Sequence, residues 1–150
     1  MPTAEDGALT RLFTSQHGGT VEEDAPNQPA SSGAPESSYD LHVEGVAGTV
    51  LGGGGAPYTL TITCFDKTTG TAAPAALNPT AGQLNNPQSF SSPPWNLSGP
   101  EYVTNQTFTI PATGSLPAGL SGHNFVYTAS LVSKNSLQVW KADSNEFTLC

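Results

Sequence analysis

The side chains that most often carry chemistry in proteins are few and scattered in this sequence. The three histidines, His17, His42 and His123, lie far apart along the chain. A metal centre would require the fold to gather all three, so we expect solvent-exposed histidines instead. Neither cysteine belongs to a Cys-x-x-Cys motif with zinc-ligand spacing. The sequence therefore predicts no metal site and no cofactor.

No arrangement of nucleophiles or acids in the sequence is typical of an enzyme. Serines are numerous, but the Gly-x-Ser-x-Gly motif that exposes a nucleophilic serine is missing. The acids of the C-terminal region are sparse, and no spacing among them indicates a glycosidase pair. The glycine run 52–55 lacks the Gly-Lys-Ser/Thr of a phosphate-binding loop, so it predicts a flexible turn. We expect a non-enzyme, and a small enzyme with an unrecognised site is the second alternative.

The two cysteines, Cys64 and Cys150, could form a disulfide or remain free thiols. A bridge would close a long loop and stabilise the fold by about 4–5 kcal/mol in the chain-entropy model. By strand alternation, however, Cys64 shares the face of Ile62, whereas Cys150 lies opposite Leu149. The sequence favours one buried thiol in a strand and one terminal thiol, with the bridge as the open alternative.

Charge and hydropathy exclude two classes of partner. The formal net charge is −8, with only four lysines and arginines, so no basic stripe can contact phosphates. We therefore expect no nucleic acid, and an anionic membrane surface would repel the chain. No run of about 18 apolar residues predicts a membrane-spanning helix. Residues 1–6 form neither a basic nor an apolar leader, which predicts cytoplasmic synthesis without a classical signal peptide, and membership of a released particle stays open.

The aromatic residues divide the chain into two parts. Residues 1–38 hold a single aromatic, Phe13, and they are rich in acids, proline and serine. Such a segment cannot bury enough apolar surface to offset the cost of ordering its backbone. The sequence therefore predicts a disordered or extended acidic arm over 1–38, followed by a folded domain over 39–150.

One apolar cluster interrupts the predicted arm at residues 8–13. Leu9, Leu12 and Phe13 have the i, i+3, i+4 spacing that places side chains on one face of a helix, and Arg11 lies between them. A helix this short does not persist alone in water, but it could form in the groove of a partner. The segment therefore predicts a docking site, with a few apolar residues in a disordered arm as the alternative.

Residues 39–150 show the alternation of half-buried β-strands. Apolar and aromatic residues alternate with threonines from Tyr58 to Cys64, which is the clearest strand in the chain. Similar patterns begin at Tyr39, Val103 and Phe125. Five prolines between positions 74 and 94 exclude a central strand in residues 71–100 and indicate a long crossover. About six strands with turns between them predict an all-β sandwich of two antiparallel sheets.

The closing segment resembles the end of immunoglobulin-like and fibronectin-type-III-like domains. In these domains a Tyr-bearing strand, here 125–129, forms a hairpin with a last strand, here 139–141. That last strand breaks at a serine or asparagine, here Ser144 and Asn145, before a final Phe-x-Leu. The resemblance implies the architecture alone, because the paired cysteines and central tryptophan of antibody domains are not reproduced.

A second candidate binding site is the loop 96–100, which Trp95 and Tyr102 bracket. Aromatic side chains on a sandwich loop can stack on sugar rings or act as hot spots for a protein partner. The sequence favours the other interpretation, in which both side chains cap the core, and the binding site stays open.

These patterns together predict a non-catalytic structural or binding module used in assembly or adhesion. Proteins that coat phage particles or contractile injection machines are of this type. We expect a protein partner or a neighbouring copy of the chain, which would make a homo-oligomer. The first alternative is a carbohydrate-binding module that uses the Trp95 loop.

Overall fold

A computed structural model describes residues 7–28, 33–49, 57–111, 119–133 and 139–150, and its strands form two antiparallel sheets. Sheet 1 contains, in spatial order, β1 (Gly7–Gln16), β2 (Ser38–Gly48), β7 (Glu101–Pro111) and β6 (Trp95–Ser98). Sheet 2 is centred on the paired strands β3 (Pro57–Asp66) and β8 (Asn124–Ser133). The short strands β4 (Thr71–Ala72) and β5 (Gln88–Ser89) pair with β3, and β9 (Val139–Asp143) and β10 (Phe147–Thr148) pair with β8.

This distribution of strands confirms the predicted all-β sandwich. The first two strands share a sheet with β6 and β7, whereas β3, β8 and the closing strands form the other sheet. Constant-type immunoglobulin domains divide their seven strands between two sheets in the same way. The fold is therefore compatible with an immunoglobulin-like architecture.

The core lies between the sheets and is built by the predicted alternation. In β3 every second residue from Tyr58 to Asp66 is buried, and the threonines between them face outward. Two buried tyrosines join the sheets: Tyr39 Oη lies 2.6 Å from Tyr127 Oη, which donates to the carbonyl of Leu77 at 2.6 Å. The ring of Phe147 stacks on Tyr127 with centroids 5.2 Å apart. Both buried hydroxyls are thus satisfied without water.

The N-terminal region corrects the predicted arm. Residues Gly7–Gln16 form β1, which pairs with β2 along its length and places Leu9 and Leu12 in the core. The pairing register shifts between Leu9 and Arg11, which marks a β-bulge. The extra residue lets Leu9 and Leu12 face the same side of a strand although they are three positions apart. That spacing, which matched a helix, belongs to a bulged strand.

Residues 21–28, which we call the strap, correct the prediction of a flexible linker. The strap crosses from the edge of β1 to the end of the chain. Glu23 N donates to the carbonyl of Thr14 at 2.8 Å, and Thr148 N donates to the carbonyl of Asp24 at 2.7 Å. The buried amide of Asn27 exchanges two hydrogen bonds with the backbone of Cys150, at 2.9 and 3.2 Å. Polar contacts therefore order a segment that has little apolar surface to bury.

The predicted crossover between β3 and β7 contains short elements that close one side of the sandwich. They are β4, a 3-10 helix over Ala75–Leu77, the helix α1 over Ala81–Leu84, β5 and β6. Leu77, Phe90 and Trp95 are buried, as expected of a segment that plugs the sandwich edge. A capping box starts α1, because Thr80 and Gln83 exchange side-chain to backbone hydrogen bonds. The predicted glycine turn at 52–55 lies outside the described residues.

Candidate functional site

Trp95 and Tyr102 cap the core, and the alternative of a sugar-binding surface at Trp95 is contradicted. The Trp95 side chain is only 2% exposed, and its ring packs edge-on against Phe90 and Tyr58, at 4.7 and 5.8 Å between centroids. Tyr102 is half-buried and packs against the core. Trp95 begins β6 at an inward position, so its ring enters the sandwich and cannot stack on a ligand. The apolar residue exposed in this loop is Leu97, at 61%.

The predicted docking segment is divided between the two faces of sheet 1. Leu9 and Leu12 lie in the core, whereas Phe13 lies on the outer face, where it is nevertheless buried. Its ring stacks on His42 at 4.6 Å between centroids, and the Arg11 guanidinium covers it at 3.9 Å. A distance of 3.9 Å also separates Arg11 Nη1 from Glu44 Oε2. These contacts hold β1 on sheet 1 and bury Leu9, Leu12 and Phe13, so these three side chains cannot enter a partner's groove, whereas Arg11 stays half exposed.

A serine and a histidine meet on this outer face, which the sequence did not predict. Ser15 Oγ lies 2.8 Å from Nε2 of His42, and the other ring nitrogen of His42 lies 3.2 Å from Thr107 Oγ1. The expectation of an exposed histidine at this position is therefore wrong. Ser15 is 0% exposed, so a substrate cannot reach its hydroxyl. The pair acts as a polar cross-strand contact, and only the pairing of β1 with β2 brings it together.

A second polar cluster surrounds Asp40 at the turn after β1. Its carboxylate accepts hydrogen bonds from His17 Nδ1 at 2.9 Å, Gly18 N at 2.8 Å and Thr109 Oγ1 at 3.0 Å. Burial raises the pKa of Asp40, but these hydrogen bonds outweigh burial and hold that pKa below its ordinary value. The hydrogen bond to Asp40, and next its charge, raise the pKa of His17 above 6.5. The cluster fixes the turn to the sheet.

A similar aspartate and histidine pair lies at the end of β3. Asp66 Oδ2 lies 2.8 Å from His123 Nδ1, and Asp66 Oδ1 accepts from the backbone of Thr68 and Thr69 at 3.0 and 3.3 Å. Burial raises the pKa of Asp66, and the hydrogen bonds from His123 and the turn outweigh it, so the pKa lies below its ordinary value. His17 and His42 contact residues of sheet 1, whereas His123 contacts Asp66 of sheet 2. Within the described residues, no group of three or more His, Cys, Asp or Glu side chains could hold a metal ion.

The two cysteines are free thiols in this structure. Cys64 lies in the core, and burial together with the nearby charge of Asp66 raises the pKa of its thiol to about 12. Cys150 is exposed, and the strap holds its backbone. Cys64 is buried and Cys150 is exposed, so the two thiols differ in their access to reagents.

The outer face of sheet 2 is formed by residues of β3, β8 and β9. We call it the Thr/Val face, and its residues are Thr59, Thr61, Thr63, Phe65, Val126, Thr128, Ser130, Val132, Val139, Lys141 and Asp143. Apolar side chains lie at both ends: Phe65 is 42% exposed beside Val126, and Val139 is 50% exposed beside Val132. The centre consists of threonines and a serine. Lys141 and Asp143 are its only charged residues.

Two clefts adjoin Pro94 on the opposite sheet. The first, of about 370 Å³, lies between β7 and the segment from Gln83 to Pro94. The second, of about 350 Å³, lies on the outer face of sheet 1 and is lined in part by Thr10, Glu44 and Asn105. The first cleft has a floor of two buried amides, Gln88 and Gln106, whose side chains exchange hydrogen bonds at 3.1 and 3.2 Å. This floor is uncharged.

The chain shows no similarity to a known protein in three comparisons, so a proposal for its function rests on the fold and its surfaces. Searches against protein-family models, curated proteins and solved structures found no match. In the part of the chain that the structure describes, no helix is long and apolar enough to cross a membrane.

Proposed function

We propose that this chain is a non-catalytic, immunoglobulin-like module that associates with neighbouring copies of itself in an assembly. The observation that carries the proposal is the Thr/Val face, an exposed sheet surface with apolar side chains at both ends and no net charge. Two of its eleven residues are charged, and their charges are opposite. A face without net charge avoids the repulsion that the acidic chain exerts elsewhere, so it suits contact with another protein.

The two charges on the Thr/Val face are self-complementary, which suits a second copy as the partner. The chain carries a net charge of −8, so two copies repel each other at most orientations. The Thr/Val face has no net charge, because Lys141 and Asp143 compensate each other two residues apart on β9. A two-fold contact is isologous, so residue i meets residue j twice. Face-to-face packing of two copies can therefore place each Lys141 against Asp143 of the other copy.

The dimensions of the face predict a weak contact. From Thr59 to Phe65 the strand spans about 20 Å, and three strands spaced about 4.8 Å apart give a footprint of roughly 300 Å². Stable pairs bury about 800 Å² on each partner, so a contact of this size is weak in dilute solution. Copies held close together in an array would still bind, because their effective concentration is high. The proposal therefore fits an assembly module better than a stable dimer.

Sedimentation equilibrium over a range of protein concentrations tests this proposal. We expect wild-type protein to self-associate weakly and Thr61→Arg to abolish association by placing a bulky charge at the centre of the face. Ser98→Arg is the matched control, because it adds the same charge at an exposed position on sheet 1. Equal behaviour of the two variants, or a wild-type protein that stays monomeric at millimolar concentration, would overturn the proposal.

A charge exchange separates local pairing from overall repulsion. Lys141→Glu and Asp143→Lys should each weaken association, since each places like charges across the contact. The double variant restores both the net charge and the opposite pairing, so we expect it to associate like the wild type. If Asp143→Lys alone strengthens association, net charge governs it and the proposed pairing is wrong.

A further inference from the structure

Within the described residues, one edge of β7 is open for more than half of its length. All eleven of its residues pair with β2, from Glu101 to Pro111. On its other edge, β6 pairs only with Glu101–Thr104. Among the described residues, no strand continues this pairing beyond Thr104. Residues 105–111 therefore form a strand with one unpaired side.

The backbone groups on the open edge can be assigned from the hairpin that joins β6 and β7. Ser98 and Glu101 flank the two-residue turn Gly99-Pro100, which makes them a hydrogen-bonded pair. The backbone groups of Glu101 therefore point towards β6 and away from β2. Because this direction alternates along a strand, the backbone groups of Asn105, Thr107 and Thr109 also point away from β2. The peptide groups between them, at residues such as Gln106, point towards β2.

Two other observations, one hydrogen bond and the position of a proline, agree with this assignment of the backbone groups. Gln83 Nε2 donates to the carbonyl of Thr109 at 3.1 Å, so that carbonyl faces away from β2 and takes a side chain where a strand is missing. Pro111 also occupies an outward position, where a missing N–H costs no ladder hydrogen bond. The N–H and C=O groups of Asn105 and Thr107 therefore face the open side.

The cleft of about 370 Å³ lies along this edge. Gln106, Thr107 and Phe108 of β7 line one side, and Leu84, Pro93 and Pro94 are among the residues that line the other. None of the nine lining residues is charged. The volume falls within the range of about 300–1,000 Å³ that is usual for ligand sites. An unpaired strand edge thus borders a cleft with apolar and amide walls.

We propose that the open edge of β7 binds an extended, uncharged segment of a partner polypeptide as an added strand. The N–H and C=O groups on this edge recur at every second residue. The backbone of another extended strand has the same spacing, whereas a small polar ligand does not. The segment is uncharged because the lining offers no ion partner and the chain's net charge repels acidic peptides. Its side chains that face the cleft are apolar, since they contact Leu84 and the two prolines. This site is separate from the Thr/Val face.

Amide hydrogen exchange of the full chain tests the premise. The amides of Asn105 and Thr107 should exchange fast, whereas those of Gln106 and Phe108, which point to β2, should exchange slowly. Protection of the Thr107 amide in the free protein would overturn the proposal, because that edge would already be paired.

A capped hexapeptide of alternating threonine and valine serves as the probe for binding. At about 1 mM peptide we expect NMR shifts at Asn105–Thr109 and at least tenfold slower exchange of the Thr107 amide. The matched control is the same peptide with N-methylated backbone amides, which keeps the side chains but removes the donors. Equal shifts with both peptides, or no shifts with either, would overturn strand addition. Thr61→Arg should bind the peptide normally, which separates this result from that of the proposed self-association.

A variant of the protein gives a second comparison. Thr107→Pro removes the proposed edge donor without breaking a backbone bond to β2, but it also removes the contact of Thr107 Oγ1 with His42. We therefore expect a folded protein with a lower thermal midpoint and at least fivefold weaker peptide binding. Unchanged binding by folded Thr107→Pro would contradict the proposal. The N-methylated peptide decides the same question without any variant, so the test stands even if this protein does not fold.

Discussion

Burial decides what the individual reactive side chains can do. Ser15 and His42 lie within hydrogen-bond distance, an arrangement that activates serine in hydrolases, but here the serine is enclosed. His17 keeps an exposed ring and is held by Asp40 instead. The same residue types therefore stabilise turns and strand pairs. Spacing in the sequence could not reveal these roles, because each contact joins residues on different strands.

The two thiols should differ sharply in reactivity. Thiolate is the reactive form, and burial raises the pKa of Cys64 to about 12, so this thiol is both protonated and enclosed near pH 8. We expect a thiol reagent such as 5,5′-dithiobis(2-nitrobenzoic acid) to modify Cys150 in the folded protein and Cys64 only after unfolding. Cys150→Ser should therefore show no rapid reaction. Absence of any reactive thiol in the non-reduced wild-type protein would instead indicate a disulfide.

The element that differs most from expectation is β1. The segment 8–13, which looked like a tethered docking helix, lies within the ten-residue edge strand of sheet 1, and the strap connects that strand to the C-terminal residues. A bulge inserts one extra residue, so two strand residues three positions apart face the same side, as they would in a helix. The pattern of apolar residues in the sequence does not reveal the bulge. The acidic, proline-rich composition of residues 21–28 is also compatible with an ordered strap, because backbone and amide hydrogen bonds hold it. The composition of this segment shows that it adds little to the hydrophobic core. It does not show that the segment is disordered.

Leu12→Ala should measure the contribution of β1 to stability. Leu12 is buried in the core, so its truncation should lower the free energy of unfolding by about 2–5 kcal/mol. Thr10→Ala, at the exposed bulge of the same strand, should cost less than about 0.5 kcal/mol. Urea unfolding of both variants measures the difference. A Leu12→Ala protein as stable as the wild type would show that β1 is a dispensable arm after all.

For the whole molecule, the balance of charge links stability to pH. Asp40 and Asp66 have pKa values below their ordinary 3.8 in the folded protein, so they stabilise it above that pH. This stabilisation is lost as the pH falls through their lowered values. His17 has a pKa raised above 6.5, so its stabilisation is complete below 6.5 and is lost as the pH rises through the raised value. These groups together favour the folded state most between about pH 4 and 6.5.

Thermal unfolding at several pH values, compared between variants, tests this linkage. His17→Gln should flatten the loss of stability above pH 6.5, and Asp66→Asn should flatten the loss below pH 4. Each variant is the control for the other, because the two changes act at opposite ends of the range. Identical pH profiles for wild-type protein and His17→Gln would show that the contact with Asp40 does not persist in solution.

The sequence by itself determined the fold class and most of the strands between Tyr39 and the C-terminus. Alternation of apolar and polar residues is local, and it reports directly which side of a strand is buried, as Tyr58 to Asp66 show. The prolines of residues 71–100 likewise predicted the irregular crossover, because proline cannot donate to a ladder. The same local rules placed Cys64 inside the sandwich.

Only the tertiary structure decided which strands pair and which edges stay open. The pairing of β1 with β2 joins residues about thirty positions apart, and it alone buries Phe13 and His42 on an outer face. The open edge of β7 follows from where β6 ends, and the Thr/Val face follows from the alignment of β3, β8 and β9. Such surfaces depend on contacts between distant segments, whereas a sequence pattern reports only the period of each segment.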